Sequence, residues 1–310
     1  MFNRNKLSRG ANAVVTGAGS GIGRAFAMEV ARRGGQVVCS DISLERAQET
    51  VDLIMAEVAG KLKNPDLVFK ARAWAFQCDV SELEQVQAMA DFAEDCFGGT
   101  ADCTAINLVV NNAGVGIGGK PIGETSIEDW KWTMGVNLWG VIHGCHVFAP
   151  RLRARAAMGK KPVEHKLGKV ESHKLGVINV ASTASFAAAP LMGPYNATKA
   201  AALAVSETLA AEMAGTGIQV TALCPTFVKT NIAKDGRISA QSSKLAQKIM
   251  DITGVTPESV VKKTLDAADR GEMYVLPQLD ARTIWRLKRL VPSMYTSGAG
   301  LLNRLAKQAL

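Results

Sequence analysis

The chain has little with which to build a metal centre or a disulfide framework. Its 310 residues include six cysteines (Cys39, Cys78, Cys96, Cys103, Cys145 and Cys224), and no two form a CxxC pair. A zinc module or a secreted disulfide scaffold depends on such spacing. Four histidines add little, and no metal is expected. Long apolar runs are missing too. The longest uncharged stretch, 175–198, contains Pro190, Pro194 and two asparagines, which suits no bilayer span. Residues 1–10 are polar and basic, and the short run 11–15 cannot serve as the core of a signal peptide. A protein of the reducing cytoplasm is expected.

Acid is absent from one region. Residues 281–310 hold six Lys and Arg and no Asp or Glu. Residues 151–174 carry eight basic side chains against two acidic ones. These segments each contribute +6 to a net charge of +8, so the rest of the chain is at −4. That is a mildly acidic body with two basic attachments, and no nucleic-acid partner is expected. With 47% hydrophobic and 21% charged residues, the chain can bury a large core unaided.

Strand and helix patterns alternate along the chain. Short apolar runs occur at 13–15, 36–40, 73–77, 106–110, 175–180, 218–223 and 274–276. Helical patterns lie between them at 22–33, 44–58, 82–97, 126–149 and 195–214. Alternation of this kind implies parallel pairing through crossovers. The predicted fold is α/β, a doubly wound parallel sheet of the Rossmann type. It comprises a dinucleotide-binding catalytic domain over 1–280 and a basic amphipathic C-terminal helical extension over 281–310. Ligands of such sheets bind beyond the carboxyl ends of the strands.

Residues 16–23 (TGAGSGIG) sit between the first strand and the first helix. Glycine at Gly17, Gly21 and Gly23 permits a tight turn and a close approach of backbone N–H groups to a pyrophosphate. Ser20 and Ile22 complete the candidate phosphate loop. A glycine-rich turn without a ligand fits the same spacing. Asp41 ends the second strand, eighteen residues past Gly23. A carboxylate there can accept from ribose hydroxyls and repel a 2′-phosphate, and neither Ser20 nor Ser40 is basic, so NAD is favoured over NADP. An aspartate in that place also suits a helix cap.

Tyr195 and Lys199 stand four apart, on one face of a helix. A nearby ammonium favours the phenolate, and bringing a phenol from pKa ~10 to ~7 requires about 4 kcal/mol of differential stabilisation. Alone, the pair is common on solvated helices. In company it is specific. From about residue 10 to about residue 230 the chain resembles the short-chain dehydrogenase/reductase family, in its branch of oxidoreductases of roughly 250 residues. The resemblance rests on the turn at 16–23, Asp79 after the third strand, and Asn111-Asn112-Ala113-Gly114 after the fourth. Asn137, Ser182 thirteen positions before Tyr195, and Lys199 complete it.

The resemblance implies roles. Tyr195 would be the general acid/base, and Ser182 would donate to the substrate oxygen. Lys199 would hold the nicotinamide ribose and lower the tyrosine pKa, while Asn137 would fix a water beside it. Asp79 and Val80 would meet the adenine. Asn111, Asn112, Ala113 and Gly114 would shape the cofactor floor, and Pro225, Val228 and Thr230 would border the nicotinamide. One departure is Pro225-Thr226, where the family usually has Pro-Gly. The implied activity is hydride transfer between NAD and an alcohol or carbonyl carbon, by a homodimer or homotetramer. The alternatives are a cofactor-binding regulator without turnover and an isomerase or lyase.

Two further features bear on substrate. Phe186, Leu191 and Met192 before Tyr195, with Phe227, Ile232, Ile238, Leu245, Ile249 and Met250, read as core or as an apolar wall for a lipophilic substrate. In the tail, Ile284, Leu287 and Val291 make an apolar stripe with Trp285 nearby, and Arg282, Arg286 and Arg289 share another face. Such a stripe suits packing on the body, a subunit contact, or the surface of an anionic membrane.

Overall fold

The computed structural model describes residues 6–61, 73–99, 104–158, 164–165, 168–169, 174–233 and 235–308. Seven strands form one parallel sheet: β1 (Asn12–Thr16), β2 (Gln36–Asp41), β3 (Ala73–Gln77), β4 (Leu108–Asn111), β5 (Leu175–Val180), β6 (Ile218–Leu223) and β7 (Tyr274–Val275). Their order is β7-β6-β5-β4-β1-β2-β3. The order reverses between β1 and β4, where Val14 lies opposite Val109. That junction is the switch point at which doubly wound sheets bind ligands.

Helices cover both faces, so the strands are apolar nearly throughout; all six residues of β5 are buried. In β1, Ala13 and Val15 join a cluster with Phe26 of α1 (Gly21–Arg32), Ile54 of α2 (Leu44–Lys61), and Val260 and Leu265 of a later helix, Pro257–Asp269. Val14 joins the opposite cluster with Met89 and Phe97 of α3 (Leu83–Phe97), Phe148 and Leu152 of a helix at Gly140–Ala157, and Leu209 of one at Gly193–Glu212. This two-residue alternation sends each β1 neighbour to a different layer.

The helical pattern at 126–149 is broken in two. Ser126 caps α4 (Ile127–Met134) by accepting from the Asp129 N–H. A π-helical turn at Gly135–Trp139 precedes α5 (Gly140–Ala157). Next comes α6 (Gly193–Glu212). Two helices absent from the sequence-predicted elements, α7 (Ala240–Thr253) and α8 (Pro257–Asp269), connect β6 to β7. A short parallel pairing of Ile117–Gly118 with Arg237–Ile238 ties this connection to the loop after β4.

The tail forms α9 (Leu279–Leu290) and α10 (Pro292–Gln308). The face of α9 that meets the body differs from the predicted stripe: Leu287 and Val291 are exposed, whereas Trp285 packs against Phe186 and Tyr274. The indole meets both rings, with centroid distances of 4.8 and 5.1 Å. In the basic insertion, Arg151 pairs with Asp91, Arg153 pairs with Glu212, and Arg155 donates to the carbonyls of Thr104 and Ile106. Those three guanidiniums are tied to the body. Lys160, Lys161 and Lys166 lie outside the described residues, as does Cys103. No helix among the described residues is long and apolar enough to cross a membrane.

Candidate active site

The site begins at the turn from β1 into α1. Gly17 and Gly21 have φ of +63° and +52°, a region that side chains disfavour. A Cβ on Gly17 would lie 2.8 Å from the Ala113 Cα, and one on Gly23 would strike the Gly17 carbonyl and come within 2.5 Å of Asn112 Nδ2. Glycine is therefore required by the protein's own packing. Beneath the turn, Thr50 Oγ1 donates to the Ala18 carbonyl and Arg24 bonds the Gly19 carbonyl, Thr50 and Glu49. The first N–H groups of α1 have no acceptor within the helix, and its first turn holds no acid. An anion is the natural partner. Replacing Gly23 by alanine is expected to cost about 2–3 kcal/mol by overpacking, read as a Tm lower by several degrees with reduced dinucleotide binding.

Asp41 faces this turn and is buried. Its carboxylate accepts from the Gly19 N–H at 3.0 Å and the Ser43 N–H at 3.1 Å, and Arg46 Nη2 lies 3.4 Å away. Arg46 was not among the sequence candidates. Its position five residues past Asp41, in the first turn of α2, was the available signal.

At the end of β4, Asn112 Nδ2 donates to the Thr16 carbonyl, and Thr16 Oγ1 accepts from the N–H groups of Asn112 and Ala113. Thr16 thus joins the two strand ends. The Asn111 side chain turns inward beneath α5 to donate to Asn179, whose own amide donates to Ser206. Alternation along β4 sends Asn111 and Asn112 in different directions. Asp79 accepts from the N–H and hydroxyl of Ser81, and Val80 packs beneath Gly140 with its carbonyl bonded to His143.

Gly114 lies where Asn137 and Lys199 converge: a Cβ there would be 3.2 Å from Asn137 Oδ1 and 3.4 Å from Lys199 Nζ. Asn137 sits on the π-helical turn, fully buried, and exchanges two hydrogen bonds with the Val115 backbone. Lys199 is 3% exposed; its Nζ donates to the Val180 carbonyl at 2.8 Å and lies 5.9 Å from the Tyr195 ring centroid. Ser182, just past β5, accepts from the Ala184 N–H and hydrogen-bonds Tyr195. The structure thus brings Asn137, Ser182, Tyr195 and Lys199 to one cleft.

Desolvation raises the Tyr195 phenol above its ordinary value, opposed by the Ser182 hydrogen bond. Desolvation also lowers the Lys199 ammonium to about 8. Below pH 8 the fold therefore carries a strained buried charge, and between about 8 and 10.5 the unfolded chain binds one proton more than the native state. Native stability gains roughly 3 kcal/mol from this group as pH rises through that window. Buried thiols such as Cys39 and Cys224, pushed up to about 12, act in the opposite sense above pH 9. The check is therefore a comparison, pH by pH, of wild type and Lys199→Met in denaturant unfolding: the variant is expected to lack the Lys199 component.

Across the cleft, Pro225 and Val228 are buried, and Thr230 approaches the glycine turn, with its Cγ2 3.0 Å from a Cβ built on Gly21. Thr226 Oγ1 donates to Asp280, and its N–H donates to Gln278. Thr226 thereby ties this loop to the start of α9. Between Ser182 and Tyr195, Ala188 and Leu191 have φ of 51° and 62°. For residues bearing a Cβ each costs about 1–2 kcal/mol. Of the apolar candidates, Phe227 and Ile232 are exposed, Phe186 and Leu191 are half-buried, and Met250 belongs to the core.

The residues fit an anionic dinucleotide: an acid-free helix start at the switch point, a buried carboxylate at the second strand end, and a buried amine beside a phenol. Comparisons with known proteins agree. The short chain dehydrogenase family model matches residues 11–240. Probable oxidoreductase EphD of Mycobacterium tuberculosis is 28% identical over 93% of this chain, which spans 44% of that protein's length. Cyclohexanol dehydrogenase of Acinetobacter is 32% identical over 70% of this chain and 73% of its own. A Burkholderia phymatum short-chain dehydrogenase/reductase, crystallised with NAD, superposes with a TM-score of 0.76 at 32% identity, covering 93% of this chain and 95% of that one. The sheet order, the turn and the matched span together make this chain a member of the short-chain dehydrogenase/reductase family of oxidoreductases.

Proposed function

We propose that the protein is an NAD-dependent alcohol dehydrogenase or ketoreductase acting on a lipophilic substrate. The observation that carries this reading is the convergence of Ser182, Tyr195 and Lys199 at the open end of the sheet, opposite the glycine turn. The first turn of α1 would hold the pyrophosphate, Asp41 the adenosine ribose, Asp79 and Val80 the adenine side, and Lys199 the nicotinamide ribose. Asn112, Ala113 and Gly114 would form the floor, with Pro225, Val228 and Thr230 along the opposite edge. When bound, the nicotinamide supplies or accepts the hydride.

The chain's own residues handle the proton. Ser182 donates to the substrate oxygen and steadies the charge that develops there. The phenol of Tyr195, held protonated by desolvation, is in the form that donates a proton to a carbonyl. In the reverse direction Tyr195 takes the alcohol proton, helped by the Lys199 ammonium. Asn137 Oδ1, bonded to the Val115 N–H, retains a second lone pair for a water beside Lys199.

A regulator without turnover would not need all four groups, and an isomerase or lyase would leave NADH unchanged. A panel of alcohols that includes cyclohexanol, assayed with NAD at the NADH absorbance band, is expected to give net NADH formation that increases with the apolar size of the alcohol. No NADH from any member would sink the proposal. The same substrates are expected to be reduced faster at low pH, and their oxidation to rise with pH only up to about 8, where the Lys199 ammonium that helps Tyr195 ionise loses its proton.

A further inference from the structure

The substrate side of the cleft is not held by the catalytic body alone. Residues 183–192 link Ser182 to the helix that bears Tyr195, and Ala188 and Leu191 keep positive φ within this link. A strained loop holds its shape only when its surroundings over-determine it. Part of the restraint comes from the body: Asn196 donates to the Ala189 carbonyl, and the Gly119 N–H donates to the Leu191 carbonyl. The body also holds it through Ser185, which donates to the Lys199 carbonyl, and a further restraint comes from the tail. Tyr295 of α10 donates its hydroxyl to the Ala187 carbonyl at 3.0 Å, across 108 residues of sequence. Trp285 of α9 packs edge-on against Phe186 with centroids 4.8 Å apart, and Arg289 lies over the same indole. At the root of α9, Gln278 and Asp280 hold Thr226 and the Phe227 carbonyl on the cofactor side.

We propose that residues 278–295 are an intramolecular brace that fixes both loops flanking the catalytic tyrosine, and that Tyr295 and Trp285 are positioning residues setting the affinity for bulky apolar alcohols. The two side chains grip adjacent residues, Phe186 and Ala187, immediately before the strained Ala188. The half-buried ring of Phe186 and side chain of Leu191 are the apolar surface this loop offers. Loosening the grip lets the loop relax out of positive φ, which displaces that surface while leaving the glycine turn untouched. Thr226 accounts for the sequence departure from Pro-Gly: its hydroxyl is the link between the cofactor-side loop and the brace.

The inference rests on the dehydrogenase reading for its kinetic arm but not for its structural one. Tyr295→Phe, Trp285→Phe and Trp285→Ala are compared with wild type in the full chain. The readouts are NAD-linked oxidation of cyclohexanol and 2-decanol, the Kd for NADH by fluorescence, and amide exchange of residues 184–192. Tyr295→Phe is expected to raise KM for 2-decanol by roughly threefold to tenfold, the effect of one lost hydrogen bond. The fall in kcat should be smaller, NADH binding unchanged, and exchange at 184–192 faster. Trp285→Phe should retain most of the wild-type behaviour that Trp285→Ala loses. If Trp285→Ala does not fold, Tyr295→Phe and Trp285→Phe carry the test. Unchanged KM and unchanged exchange in folded variants would overturn the brace. So would a parallel loss of NADH binding and faster exchange throughout the sheet, which would mark a general structural role. Absence of wild-type turnover would count against the reaction alone, since exchange at 184–192 still decides the brace.

Discussion

Tyr195→Phe is expected to lower turnover by about 10³-fold, within the range for removal of a positioned general acid/base. Only the hydroxyl is lost, so the ring still packs beside Lys199, whose Nζ lies 5.9 Å from the ring centroid. The glycine turn, Asp41 and the Thr16–Asn112 link lie elsewhere in the site, so NADH should bind with a nearly unchanged Kd. Single-turnover kinetics and fluorescence titration separate these two effects. Wild-type rates in the variant would remove Tyr195 from the proton path. Lost NADH binding would show that the phenol instead supports the fold. The pH dependence of the wild type offers a second view. Desolvation alone raises the phenol, so its ionisation in alcohol oxidation depends on nearby positive charge, and the Lys199 charge itself titrates at about 8.

Asp41→Ser is expected to shift the cofactor preference from NAD toward NADP by roughly 100-fold. The argument is electrostatic. A phosphate about 5 Å from a carboxylate, at an effective dielectric near 20, is repelled by roughly 3 kcal/mol for each unit of charge. The substitution removes that repulsion and frees Arg46, which otherwise points at Asp41 from 3.4 Å. Asp235 stays 3.6 Å from the same guanidinium and limits the gain. Titration of the variant with NADH and NADPH gives the ratio directly. Equal weakening of both cofactors would mean that Asp41 serves only to hold the Gly19 N–H and the start of α2.

Much of the architecture was legible because it follows from local rules. The runs at 36–40, 73–77, 175–180 and 218–223 lie within the observed strands or coincide with them, since strands buried on both faces need continuous apolar residues. The connection from β6 to β7 was harder to read. α7 runs from Ala240 to Thr253 with four polar residues, 241–244, in succession near its start, although Thr256-Pro257 before α8 is an ordinary helix-start signal. The direction of Asn111 was missed because Asn111-Asn112 reads as one motif, whereas pleating separates the two side chains. The body-facing side of α9 was misplaced because apolar spacing favoured Leu287 and Val291 and left Trp285 as a neighbour of the stripe, whereas Trp285 is the side chain that meets Phe186 and Tyr274.

The sequence by itself determined the family, the order of the strands and of the helices as far as residue 214, and it named the candidate set Asp41, Asn137, Ser182, Tyr195 and Lys199. These depend on spacing within one turn, one strand end or one helical face, where neighbours in the chain are neighbours in space. Tertiary structure alone decided that the Lys199 amine is desolvated and that Thr226 and Ala187 are held by Asp280 and Tyr295. Those relations join residues far apart in the chain or depend on burial by several elements at once. No local pattern encodes either.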